Sequence, residues 1–316
     1  MSATRRDFLQ STAAVAAGLS GARAAAAQPP QGSPARNGAK QAAAAPVQVP
    51  KMRFGNAEIS RLICGCNPFY GYAHFNQIYS KVMSDYFTPE RVCEVLHRCN
   101  LYGINAFNYF PLGRGQSDLE RFIAEGGKMH LIVQGIGEVD EFIKKFKPLS
   151  MYHHGELTDR AFQEGTMDTV KEWCKKIRDT GILVGVGTHK PEVIAQVEEE
   201  GWDVDFYAGC VYNRTRTEDE WKEVLNGELV EMQGECYLRS DPARMYKVMR
   251  QTRKPCFAFK IMAAGRLSSR KEADQAFQTA YESIKPTDGV FIGFFPRSTD
   301  EIRENAERVC RILAKA

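Results

Sequence analysis

The chain has no apolar run long enough to cross a bilayer, which takes ~20 consecutive apolar residues. Its one mild run near the N-terminus, 13–19, is short and rich in alanine. No permanent membrane span is expected. A basic stripe with interleaved aromatics is also missing, and a net charge of +3 offers no footprint for nucleic acid. Lys171, Lys175, Lys176 and Arg178 read as one solvated helix face. The first strand-like run continues as Cys64-Gly65-Cys66-Asn67-Pro68-Phe69. It lacks the glycines of a dinucleotide fingerprint, which argues against a doubly wound open sheet. The nine cysteines have no zinc or iron–sulfur spacing, because Cys64-Gly65-Cys66 has no second pair downstream. What remains is 43% hydrophobic and 26% charged, the balance of an ordinary globular enzyme.

The N-terminus carries an address. Thr4-Arg5-Arg6-Asp7-Phe8-Leu9-Gln10, the apolar run 13–19 and the small residues 22–27 resemble a twin-arginine (Tat) signal with A-x-A cleavage choices. Such a signal exports folded cargo, so the Tat translocon is an expected partner during export and the periplasm the expected destination. Residues 1–27 are read as signal peptide. The Ala/Pro/Gln/Gly-rich stretch 28–50 is read as a disordered linker and 51–316 as one folded domain. Cysteines in an exported protein usually pair. Here Cys93, Cys99, Cys174 and Cys310 fall in helical patterns, while Cys64, Cys210 and Cys256 fall in or beside apolar runs, where a thiol acts as a small hydrophobe. Folding in the cytoplasm before export would permit that.

From Met52 onward short apolar runs alternate with amphipathic helices. The runs are 62–65, 106–109, 131–134, 150–154, 183–187, 204–208, 256–260 and 289–293. Continuous apolar runs indicate strands buried on both faces, as in parallel sheets. Thr88-Pro89-Glu90, Lys190-Pro191-Glu192 and Thr299-Asp300-Glu301 supply helix starts between them. The pattern predicts a (β/α)8 TIM barrel, which places function at the strand ends and the loops that follow them.

Those ends offer Asn67, Asn108, Tyr109, Gln134 with Glu138, and Tyr152-His153-His154 with Glu156. Thr188-His189-Lys190, Tyr212-Asn213-Arg214, Lys260 and Arg297-Ser298 complete the set. His154 and His189, on consecutive strand ends, suit carbonyl polarisation or proton relay, although a lone histidine there is as often structural. His74, His97 and His130 are read as lying elsewhere. Lys260 closes an apolar strand, where burial is costly unless the amine is paired. It can bind an anion, form a Schiff base if desolvated, or close a structural ion pair. The aromatic-rich connection 67–86 and the long connection 214–239 are read as walls or lids.

Several segments resemble the aldo-keto reductase superfamily over about 52–313. Phe54-Gly55-Asn56-Ala57-Glu58-Ile59 resembles its N-terminal hairpin, and Gly103-Ile104-Asn105-Ala106-Phe107-Asn108 its G-I-N-x-F-D segment. Met151-Tyr152-His153-His154 resembles the strand that ends in the catalytic histidine. Gly185-Val186-Gly187-Thr188-His189 resembles the nicotinamide-holding segment, Lys260 to Leu267 the loop after strand seven, and Arg297-Ser298 through Asn305 the adenosine-phosphate grip. The resemblance implies NAD(P) held by Thr188, His189, Arg297, Ser298 and Asn305, with His154, Tyr109, Asn108 and Lys260 as catalytic candidates. Of the family's Asp, Tyr, Lys and His tetrad only His154 is matched. Asn108 replaces the aspartate, and the tyrosine and lysine positions fall near Gly113 and Gln134.

The expectation is therefore an exported oxidoreductase acting on a small carbonyl or sugar-like substrate. Its alternatives are a divalent-metal-dependent sugar isomerase, lyase or hydrolase, with His154, His189, Glu156 and Glu138 as ligands, and a non-catalytic glycan-binding protein.

Overall fold

Eight short strands, all parallel, close on themselves in the order β10-β3-β4-β5-β6-β7-β8-β9. They are β3 (Leu62–Gly65), β4 (Ala106–Tyr109), β5 (His130–Gly135), β6 (Ser150–His153), β7 (Leu183–Thr188), β8 (Phe206–Cys210), β9 (Cys256–Phe259) and β10 (Gly289–Gly293). Helices cover the outside, so the fold is the expected (β/α)8 TIM barrel. The computed structural model describes residues 45–111, 113–227 and 234–315. The signal peptide expected over 1–27, and the linker up to residue 44, lie outside the described residues. Val49 is buried, and its amide donates to the Tyr102 carbonyl at 2.9 Å. No helix among the described residues is long and apolar enough to cross a membrane. All nine cysteines are free thiols.

Each strand divides its side chains between two cores, because successive residues point to opposite faces. Ile63, Ala106, Ile132, Tyr152, Phe206, Phe257 and Phe291 fill the barrel, while Leu62, Cys64, Phe107, Val133, Met151 and Val186 pack outward against helices. The glycines of β7 follow from this crowding. A Cβ on Gly185 would stand 2.7 Å from the Phe206 ring, and one on Gly187 would stand 2.8 Å from both the Tyr152 ring and the His153 carbonyl.

An antiparallel hairpin, β1 (Lys51–Phe54) and β2 (Ala57–Ser60), plugs the N-terminal end of the barrel. Gly55 turns it with φ of +59°. Phe54 meets the edges of Phe206 and Phe257, each at 5.1 Å between ring centroids. Phe54→Ala would empty a fully enclosed site and should cost about 3–5 kcal/mol, read as a lower urea midpoint. A loss under about 1 kcal/mol would mean that the hairpin is not part of the cooperative core.

The predicted helix starts are present. Thr88 caps Pro89–Leu101 by accepting from the Arg91 amide at 3.4 Å, and Asp300 caps Glu301–Leu313 by accepting from Arg303 at 3.1 Å. Lys190 does not cap Pro191–Glu199; its amine instead reaches Glu220 at 2.6 Å.

Candidate active site

The strand C-termini open into a mouth crossed by one line of polar side chains. It starts at Asp159, which the helix Gly155–Gln163 turns inward and buries completely. The Asp159 carboxylate accepts from the Thr188 hydroxyl, from the His189 amide at 3.1 Å, from His189 Nδ1 at 2.6 Å and from the Thr215 hydroxyl at 2.9 Å. This contact fixes the proton of His189 on Nδ1 and leaves Nε2 to accept from Arg214 Nη1 at 3.1 Å. Burial pushes His189 down to about 4 against the opposing pull of Asp159, so the ring is neutral at physiological pH.

Arg214 continues the line through Nη2 to Glu235, while its Nε is buried without a partner among the described residues. Glu235 also accepts from His74 Nδ1 at 2.6 Å and from the Tyr237 hydroxyl at 2.6 Å. Burial raises the Glu235 carboxyl, but His74, Lys260 and Arg214 together outweigh it and hold the group well below the usual range. His74 Nε2 accepts from Asn67 at 3.1 Å, and burial lowers the ring's proton affinity. The sequence reading had set His74 apart from the site. The connection 67–86 carries it back over the mouth to a glutamate far along the chain.

Lys260 follows β9 directly, in the left-handed region with φ of +60°. It is partly buried; its carbonyl accepts from the Ala263 amide at 2.7 Å, while its amine lies 6.0 Å from the Phe259 ring centroid and has no hydrogen-bond or ion-pair partner among the described residues. Burial is the main cause that pushes its ammonium down to about 8. Arg214 lowers it further, while Cys210, Glu235 and Glu156 oppose. His154 stands on the same mouth, with its ring 5.4 Å from that of Phe110 and its Nδ1 buried without a partner among the described residues. Burial is the largest cause lowering its proton affinity, and Lys260 and Arg214 add to it. His153 takes a different path, bonding Thr158 at 2.8 Å and packing edge-on against Trp173.

The other expected residues do not gather there. Asn108 accepts from the Tyr152 hydroxyl at 2.9 Å inside the barrel. Tyr109 points outward into the helix layer and stacks on Phe142 at 5.4 Å; its hydroxyl is buried without a partner among the described residues. Burial raises that phenol far above its ordinary range, so it is a poor proton donor. Thr188 is committed to Asp159, Arg297 and Ser298 lie exposed in the loop after β10, and Asn305 accepts from Arg308. The four groups suggested as metal ligands do not converge either. Both ring nitrogens of His189 are engaged, Glu138 and Glu156 are exposed, and the described residues contain no group of three such side chains. A hollow of about 780 Å³ lies at the opposite end of the barrel, between Phe122, Met129, Pro148 and Ile182. It is remote from this chemistry.

No family model matches the sequence, and no curated protein matches it. Solved structures do resemble the fold. A phospho-2-dehydro-3-deoxyheptonate aldolase (DAHP synthase) from Thermotoga maritima is 12% identical, over 85% of this chain and 73% of that one, with a TM-score of 0.51. A truncated 3-deoxy-D-arabino-heptulosonate 7-phosphate synthase from the same organism is 12% identical, over 85% of this chain and 92% of that one, with a TM-score of 0.49. The likeness is one of fold.

The expected aldo-keto reductase membership and NAD(P)-linked oxidoreductase activity are corrected on these findings. The neighbour with a TM-score of 0.51 is named an aldolase, and the residues expected to grip the nucleotide are exposed or already committed elsewhere. The segments that carried the resemblance have local explanations. Gly103 is a positive-φ turn (φ +72°) at a helix end, Ile104 is core, and Asn105 ties the hairpin down, accepting from the Ser60 amide at 2.7 Å and donating to the Glu58 carbonyl at 2.9 Å. Asp159, Glu235 and Tyr237 are not singled out by the sequence, and Arg266 appears there only as part of the loop Lys260 to Leu267. Asp159 lies among polar helix residues that look solvent-facing, and the other three sit in connections without periodicity.

Proposed function

We propose that this chain is a carbon–carbon lyase of aldolase type, acting on a small sugar-like carbonyl compound through an imine on Lys260. The observation that carries this is an amine at the end of a barrel strand that makes no hydrogen bond or ion pair among the described residues and whose proton affinity burial lowers, on the same mouth as an imidazole whose proton affinity is also lowered. The aldolase name of the structural neighbour with a TM-score of 0.51 supports the reaction class.

The neutral Nζ adds to the substrate carbonyl carbon, and the π pair moves to oxygen, which takes a proton. Loss of water leaves an iminium. The bond between the α- and β-carbons then breaks, its electron pair moving into the iminium to give an enamine. The β-hydroxyl yields its proton to a base and leaves as an aldehyde. His154 suits that base, because its lowered proton affinity keeps the imidazole free to accept. Protonation of the enamine carbon and hydrolysis release the second product and restore the amine.

Cyanoborohydride reduction of the protein with a small carbonyl compound tests the reading, since it fixes the iminium as a secondary amine that peptide mass spectrometry locates. Labelling of Lys260 should rise with pH through about 8, as the folded amine loses its proton. A profile flat from about pH 6.5 to 9.5, or label spread over surface lysines, would overturn the assignment.

A divalent cation as the electron sink is the second reading, favoured by the partnerless buried Nδ1 of His154. The described residues do not supply a ligand set for it. Cleavage lost on dialysis against a chelator and restored by Mn²⁺ would select this reading, provided that Lys260 stays unlabelled.

We further propose that residues 1–27 direct export to the periplasm. Replacing Arg5 and Arg6 together by lysine should hold the precursor in the cytoplasm, as cell fractionation would show. Undiminished periplasmic protein would remove the proposal.

A further inference from the structure

We infer that the substrate is a 2-oxo acid, whose carboxylate is anchored beside Lys260 by the Arg214 side of the mouth. The inference rests on the imine reading and adds the substrate class. It stands on how the charges of the mouth are satisfied. Asp159 is saturated by four donors, and Glu235 accepts from three, Arg214, His74 and Tyr237. Neither carboxylate makes a hydrogen bond or ion pair to the Lys260 amine among the described residues, and Glu156, the other carboxylate acting on it, is exposed.

The cations are not satisfied to the same degree. The Lys260 amine has no hydrogen-bond or ion-pair partner among the described residues and only the Phe259 ring near it, 6.0 Å to the centroid, and Arg214 keeps one buried donor, Nε, unused. Arg266 gives its protons only to main-chain carbonyls, to His74 at 2.9 Å, Ala263 at 3.2 Å and Glu235 at 2.9 Å. Its guanidinium lies over the Tyr237 ring at 4.1 Å and the Phe75 ring at 5.0 Å, and it makes no ion pair with an acid among the described residues. His154, His189 and His74 face the same space as neutral rings.

A half-buried site with surplus cations and an unused donor calls for an anion from outside. Imine formation leaves the demand in place, because the iminium keeps the positive charge of the lysine. A carboxylate on the carbon next to the imine lies within about one bond length of the reacting centre. The acid group must therefore be held by the groups around Lys260, and Arg214 is the cation there with a donor to give.

Three probes separate acid from carbonyl. Pyruvate carries both, hydroxyacetone only the carbonyl, and lactate only the acid. Pyruvate should label Lys260 under cyanoborohydride at least about tenfold faster than hydroxyacetone, the effect expected of one charged hydrogen bond. Lactate should slow pyruvate labelling competitively in the unmodified protein, a readout that needs no variant. Arg214→Gln should bring the pyruvate-to-hydroxyacetone ratio down toward one. Equal labelling by the two carbonyl compounds, with no competition by lactate, overturns the acid site and leaves the imine standing. Absence of label from both, with lactate and pyruvate still binding by calorimetry, overturns the imine and leaves the acid site standing. Absence of label and of binding overturns both.

Discussion

Lys260→Met should abolish the trapped adduct and reduce carbon–carbon cleavage on the order of 10³-fold or more, because it removes the covalent route altogether. The folded protein should survive the change. Methionine fills similar space with an apolar chain, and the amine it replaces bonds to nothing among the described residues. The wild-type lysine even carries a stability penalty. Its folded value of about 8 lies below that of an unfolded lysine, so the folded state binds its proton less readily. That penalty is complete below pH 8 and fades as the pH rises toward about 10.4. The variant should therefore melt no lower than the wild type at pH 7, and the difference should shrink at pH 9–10. Differential scanning calorimetry at both pH values, beside the activity assay, gives the check. A variant that loses activity only because it unfolds would remove Lys260 from the mechanism and make it structural.

Asp159→Ala should be the most damaging single change at the mouth. It strands the Thr188 and Thr215 hydroxyls and two donors of His189, all inside a site where Asp159, Thr188 and His189 are buried. Orphaned donors on that scale should cost about 3–5 kcal/mol of folding stability. For a domain of this size that is a fall of roughly 10 °C in melting temperature. Freed from Asp159, His189 would no longer present Nε2 to Arg214, so the anion-binding side should loosen as well. Asp159→Asn keeps an acceptor oxygen for Thr188 and should fall between the two. A measured loss under about 1 kcal/mol for the alanine variant would show that solvent replaces the carboxylate easily and that the site is wetter than its burial indicates.

The fold was legible because its determinants are local. Apolar runs such as 289–293 and caps such as Thr88 with Pro89 state their conformation within a few residues. Strand ends were less sharp. The sixth run was expected over 204–208, yet β8 is Phe206–Cys210; at Asp205 the amide donates to the Val184 carbonyl at 2.7 Å, but the side-chain carboxylate rather than the main chain accepts from the Val184 amide, at 2.8 Å. Lys260 was visible as a charge closing an apolar strand, and a Schiff base was among its readings. The family resemblance misled because its segments answer to barrel construction. Gly185 and Gly187 make room for Phe206 and Tyr152, and Asn105 holds the hairpin.

By itself, then, the amino-acid sequence determined the barrel and put His154, His189, Arg214 and Lys260 at its mouth, since periodicity and strand order follow from short-range chemistry. Only the tertiary structure decided which groups those residues meet. His74 and Glu235 join at 2.6 Å across 161 positions of chain, and Asp159 turns inward from a helix whose pattern looks solvated. No local signal encodes such meetings. They arise when closure of the barrel removes water from the mouth and buried charges must find partners, whereas the Lys260 amine meets only the Phe259 ring among the described residues.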